Sequence, residues 1–243
     1  MKIGLANRDG IVSKLNISEL KSAGVQAIEL YLRPDNPSIN DQIKELVDEG
    51  LEPVIHLAGD CNQENLQTFL KEAPWHLIQT VVFHPVESNE TWSRNLAATE
   101  DLCHFLGQQK LRTFCLENLP YDSRVPERFG SVLGEVVSVA ARSNLHNCFD
   151  TGHYFSGIAN PQFTALNGVL AELIEHVHIH SYVNQEDHHP LQDDDGSLQR
   201  LIGYFRDLRP DYSGIFSIEI IPFGHSADDA VFGSIEALKQ MIS

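Results

Sequence analysis

Asn144-Leu145-His146-Asn147-Cys148-Phe149-Asp150 is a short run, apolar toward its end, that closes on a carboxylate, and Thr151-Gly152-His153 follows directly. Such a run reads as a buried strand whose last residue emerges at the C-terminal end. A carboxylate in that position is costly to bury without a cation or a proton beside it. The same form recurs in both directions. Val54-Ile55-His56, Val82-Phe83-His84 and Cys115-Leu116-Glu117 precede it; His176-Val177-His178-Ile179-His180 and Ser217-Ile218-Glu219 follow.

Counted along the whole chain, strand patterns fall at 2–6, 27–32, 53–56, 80–84, 113–117, 144–150, 176–180 and 215–219. Helical patterns alternate with them at 17–23, 40–48, 62–73, 91–108, 126–141, 161–173, 197–208 and 228–242. Apolar residues recur at three and four in several of these, as in Val132, Val136, Val139 and Ala140, so each helix has a face to bury. Glycines stand at helix ends, in Ala23-Gly24 and Glu49-Gly50. Strand–helix alternation indicates a parallel sheet, and eight units with no linker between them predict a single (β/α)8 TIM barrel over 1–243. An open doubly wound sheet uses the same units. However, its Gly-rich fingerprint is absent after the first strand, where the chain reads Asn7-Arg8-Asp9-Gly10.

The 243 residues are 42% hydrophobic and 21% charged, which excludes a disordered or fibrous chain. Lys and Arg number 17 against 34 Asp and Glu, a formal charge of −17, which disfavours nucleic-acid binding through a basic face. Cys61, Cys103, Cys115 and Cys148 form no CxxC pair and read as reduced thiols. No apolar run reaches the roughly 18 residues of a membrane span, and the start of the chain has too short an apolar stretch for a signal peptide. A cytoplasmic protein with no membrane partner is therefore expected.

Six of the 12 histidines lie between 153 and 189. The strand ends His56, His84, Glu117, Asp150 and Glu219, one histidine of the strand 176–180, and His153, Asp187 and His189 just after strand ends give nine ligand-type residues. One histidine after an apolar run is most simply a core or surface residue, but a succession of strand ends asks for a common cause. In a barrel, all those ends meet at one mouth. Imidazoles and carboxylates without a thiolate suit zinc, manganese or iron, and nine ligands exceed what one ion uses, so two or three ions per chain are expected. On strand 176–180, His176, His178 and His180 share one side, and His188 competes with His189.

These residues resemble the xylose isomerase-like superfamily of TIM barrels, also known as the AP endonuclease family 2 fold, over nearly the whole chain. The superfamily's minimal site of Glu, Asp, His and Glu falls on Glu117, Asp150, His178 and Glu219. The fuller set resembles endonuclease IV. By that resemblance, His56, His84 and Glu117 hold one ion, Glu117, Asp150, His178 and Glu219 a second, and His153, Asp187 and His189 a third. Asp150-Thr151-Gly152-His153 and Asp187-His188-His189 are the most specific matches.

The chain departs from endonuclease IV at Pro85-Val86 and at Leu119-Pro120, and it places Asp193-Asp194-Asp195 beside the third group, where a polyanionic backbone would be repelled. The expectation is therefore a phosphoester or phosphodiester hydrolase acting on a small anionic substrate. DNA is disfavoured, and an oligomer is compatible with the sequence. Glu117, Glu219 and His153 are the candidate catalytic residues; Arg8, Arg33, Arg124 and His180 are the candidate substrate-binding ones. The alternative is a metal-dependent sugar or sugar-phosphate isomerase or epimerase, with Glu117 and Glu219 as the acid–base pair.

Overall fold

The computed structural model describes residues 1–12, 15–32, 39–57, 74–86, 91–109, 113–124, 129–192 and 195–243. Eight parallel strands close a barrel: β1 (Lys2–Ala6), β2 (Val25–Leu32), β3 (Glu52–Leu57), β4 (Thr80–Phe83), β5 (Thr113–Glu117), β6 (His146–Asp150), β7 (Ile174–Ile179) and β10 (Ile215–Ile218). Each pairs with its sequence neighbour among these, and β1 closes on β10 through Lys2↔Ile215 to Leu5↔Ile218. The two remaining strands, β8 (Ser181–Val183) and β9 (Glu186–His189), form an antiparallel hairpin after β7. The expected (β/α)8 barrel is thus the observed fold.

The described helices are α1 (Ile17–Ser22), α2 (Ile39–Asp48), α3 (Trp92–Gly107), α4 (Leu133–Arg142), α5 (Thr151–Gly157), α6 (Gly168–Ala171), α7 (Gly196–Leu208) and α8 (Ala227–Ile242). The helix expected at 62–73, like Cys61, lies outside the described residues. Two expectations need correction. Among the described residues of the pattern at 126–141, helix runs over Leu133–Arg142, and the turn before it uses Gly130 at φ +102 and ties Leu119 N–H to the Gly130 carbonyl. The pattern at 161–173 shrinks to α6, and helix forms instead at α5, where the Asp150 side chain caps the His153 amide.

Outward-facing strand residues pack against the helices in one continuous shell, with Phe149, Phe205 and Phe216 fully buried. Among the described residues, no helix is long and apolar enough to cross a membrane. The Phe149 ring lies 5.3 Å from Tyr154 and 6.4 Å from Phe205, pointing away from the barrel axis. Replacing Phe149 with Ala should lower stability by about 3–5 kcal/mol in urea unfolding, the usual cost of a phenylalanine-sized cavity.

Candidate metal centre

Side chains alternate along each strand, so every second residue enters the barrel. Ala27, Val54, Val82, Cys115, Cys148 and Ile215 make a separate buried cluster inside it, an apolar floor. Two residues further along their strands come Glu29, His56, His84, Glu117, Asp150 and Ser217. β7 contributes His176, His178 and, just past its end, His180; β2 adds Tyr31, and Glu219 follows β10. The interior therefore changes from apolar to ionisable within one step of the pleat.

Beside the groups Glu29, His56 and His178 and Cys148, His176 and His178, three further groups of ligand atoms converge among the described residues. The first is His56, His84 and Glu117, the second Glu117, Asp150, His178 and Glu219, and the third Asp150, His153, His180 and His188. In the first, His56 Nε2 and His84 Nε2 stand 3.1 Å apart, with Glu117 Oε2 3.4 Å from His84 and 3.7 Å from His56. In the second, His178 Nδ1 lies 3.2 Å from Glu117 Oε2 and 3.0 Å from Glu219 Oε2. All three of these atoms are buried and have no hydrogen-bond partner. Buried polar atoms without partners are costly; a proton on His178 or a cation held among these three atoms would satisfy them. The residues present thus fit divalent ions.

The third group differs from the expectation. The β8–β9 hairpin turns through Asn184 and Gln185, both at positive φ, and carries an extra residue on β9: Val183 pairs with Glu186 but Ser181 pairs with His189. His188, at φ +60, is the residue that absorbs it. Strict alternation would put Asp187 and His189 on one face. The bulge instead brings Asp187 and His188 inward: Asp187 Oδ2 is 3.5 Å from His153 Nε2, and His188 Nε2 is 3.4 Å from Glu219 Oε1. His189 turns away and stacks on Phe223 at 3.9 Å.

His180 also has a different place from the one expected. Its Nδ1 accepts from the His188 backbone N–H at 2.7 Å, so Nε2 carries the proton and donates to Asp150 at 3.0 Å. Both ring nitrogens are used, which makes His180 a support for Asp150 and for the bulge. Gly152 leaves the room it needs, since a Cβ there would meet His180 Cε1 at 2.0 Å. The side chain of Asn118 makes two bonds to the Asp150 backbone, at 2.9 and 3.1 Å. His153 Nδ1–H donates to the Asn118 carbonyl at 2.8 Å, leaving Nε2 toward Asp187.

Of the expected cationic residues, Arg8 joins the site, its Nη1 donating to Glu219 Oε1 at 2.6 Å. Tyr31 donates to the same oxygen. Arg124 is a surface residue, 87% exposed and folded back on Asp122, so its expected role in substrate binding is not supported. Arg33, Asp193 and Asp194 lie outside the described residues.

Charge in the cluster is mutual. Burial alone would raise Glu117, but His178 and His84 hold it well below the ordinary carboxylate range; His178 and His188 do the same for Glu219. Asp150 is lowered against its burial by His153 and His180. Conversely, burial disfavours charge on His178, yet the carboxylates of Glu29, Glu117 and Glu219 help raise it well above the ordinary value. His188 is raised to about 10 against its burial, chiefly by Glu219 and Asp187, and His153 is raised by Asp150 and Asp187. The Cys148 thiol is pushed well up by burial and stays protonated below the centre.

A ligand histidine must be neutral, so metals displace these protons. Because His153, His178 and His188 are raised, protons on these three compete with metal above pH 6.5. Affinity should climb as pH rises from 5 toward about 10, the value of His188, and bound metal should be lost as pH falls toward 4. Zinc titrated into metal-free protein at pH 7 in weak buffer should release more than one proton per chain, measurable with an indicator dye. Zinc binding without proton release would contradict the assignment.

The sequence matches the family described as xylose isomerase-like TIM barrel over residues 17–241. Comparison with curated protein sequences gives no match. Among solved structures, a D-tagatose 3-epimerase-like protein superposes with a TM-score of 0.69 at 20% identity, covering 100% of this chain and 97% of that one. D-Allulose 3-epimerase from Methylomonas sp., in complex with D-allulose, gives 0.67 at 16% identity, with 99% and 97% covered. SacUVDE gives 0.59 at 10% identity, with 100% and 98% covered. At these identities the structures share a fold with this chain, while the sequence match over nearly its whole length shows descent: the chain belongs to the xylose isomerase-like TIM-barrel family.

Proposed function

We propose that the protein is a metal-dependent phosphoester hydrolase acting on a small anionic substrate. In this reading His56, His84, Glu117, Asp150, His153, His178, Asp187, His188 and Glu219 hold two or three divalent ions of zinc, manganese or iron. The observation that carries it is the position of Glu117, whose Oε2 lies 3.4 Å from His84 Nε2, 3.7 Å from His56 Nε2 and 3.2 Å from His178 Nδ1, within reach of both ligand groups. One carboxylate common to two ligand groups is what a bridged pair of ions requires. Divalent ions held there would supply positive charge to phosphoryl oxygens and would acidify an attacking water.

The state of Glu219 favours the same reading. Arg8 and Tyr31 both donate to its Oε1, and the carboxylate is held well below its usual range. Two donors on one oxygen hold the carboxylate in place, as suits a ligand. Arg8, about a third exposed, reaches from the cluster to solvent and is assigned to the substrate's anionic group. Asp187, also a third exposed, stands 3.5 Å from His153 Nε2 at the rim.

A sugar epimerase is the second reading, favoured by the likeness to the two epimerase structures. It uses the Glu117, Asp150, His178 and Glu219 group alone, with the two glutamates exchanging the proton at carbon, and leaves His84 and His188 as residues beside the glutamates, available to hydrogen-bond substrate. The two readings part on one assay. With zinc or manganese, the hydrolase should turn over bis(4-nitrophenyl) phosphate, and His84→Ala or His188→Ala should lower kcat about 100-fold or more. Absence of phosphoester turnover, together with ketose epimerisation that takes up solvent deuterium and survives His84→Ala, would establish the epimerase instead.

A further inference from the structure

We infer that Glu29 is a positioning residue shared by two of the ligand groups, setting which nitrogen of His56 and of His178 faces the metal centre. The inference rests on the metal-centre reading and adds a residue that touches no ion itself.

Glu29 sits in the middle of β2 and is 1% exposed. Its Oε1 accepts from His56 Nδ1–H at 2.8 Å and from His178 Nε2–H at 2.9 Å; its Oε2 accepts from His176 Nε2–H at 3.0 Å and from Ser217 Oγ–H at 2.9 Å. A carboxylate offers about four lone-pair positions, and here all are filled. Although Glu29 lies within reach of His56 and His178 as a possible ligand group, it has no lone pair left for a cation.

A neutral imidazole has one N–H. Pointing that N–H at Glu29 leaves the opposite nitrogen bare. For His56 this is Nε2, 3.1 Å from His84 Nε2 in the first group; for His178 it is Nδ1, facing Glu117 and Glu219 in the second. Because both rings hang from the same oxygen, they lie nearly parallel, 5.3 Å apart at 16°. One carboxylate therefore orients a ligand in each of two groups that also share Glu117. Carboxylates that accept from a ligand histidine raise its basicity and fix its tautomer, and their loss typically costs 10–100-fold in metal affinity. Here a single substitution should weaken two ions together.

The test is zinc affinity of wild type, Glu29→Gln and Ser217→Ala, read by competition with a chromophoric chelator. Nitrogen-15 NMR of histidine-labelled, zinc-loaded wild type supplies a second readout, and circular dichroism reports folding. The expected result is a 10–100-fold loss at both positions in folded Glu29→Gln, with Ser217→Ala changed only a few-fold, and N–H on His56 Nδ1 and His178 Nε2. Unchanged affinity in Glu29→Gln, or weakening of one ion alone, overturns the role of Glu29 while the metal centre stands. No zinc bound by wild type overturns both. If Glu29→Gln does not fold, the wild-type spectrum decides: a proton on His56 Nε2 or His178 Nδ1 overturns the assignment.

Discussion

Five carboxylates, Glu29, Glu117, Asp150, Asp187 and Glu219, converge on the upper half of one barrel, and four of them are almost wholly removed from water. Anions so confined must be neutralised within a few ångströms, by protons on neighbouring histidines, by Arg8 or by metal. That requirement shapes what surrounds them. The floor is apolar and uncharged, the histidines of β3, β7 and the β8–β9 hairpin face carboxylates, and Asp150 is held through its backbone by Asn118 and through its side chain by His180. Protons and any divalent ions held there would compete for the same nitrogen lone pairs, which would link occupancy to pH.

The arrangement also separates rigid from adjustable parts. Glu117, Asp150 and His178 stand on or at the ends of barrel strands, where hydrogen-bonded neighbours fix the backbone on both sides. Asp187 and His188 come from a two-stranded hairpin outside the barrel, tied back by the bond from Ile221 N–H to the His188 carbonyl and by the stack of His188 on His180. Substrate preference within a shared barrel is expected to follow such appended segments, since loops vary while the strands conserve the fold.

Much of this was legible in the sequence. The fold followed from alternating runs, because buried parallel strands and amphipathic helices leave different periods. The strand-end candidates followed from the cost of burying carboxylates. Glu29 carried that same signal, a charge inside the run 27–32, but it stands in mid-strand and a search confined to strand ends passes over it. His188 could not be separated from His189 by alternation, because the deciding feature is a bulge, which a period of two does not register. His180 looked like a residue free to meet substrate. Its partners, the His188 amide and Asp150, lie 8 and 30 residues away in sequence, and no local pattern carries such a contact.

The central claim is that the upper barrel holds more than one divalent ion. Metal content per chain, measured by elemental analysis on untagged protein purified without chelator, tests it most directly. The account predicts two or three equivalents of zinc, manganese or iron, with fewer retained in His188→Ala. One equivalent or none, unaffected by that substitution, would contradict it.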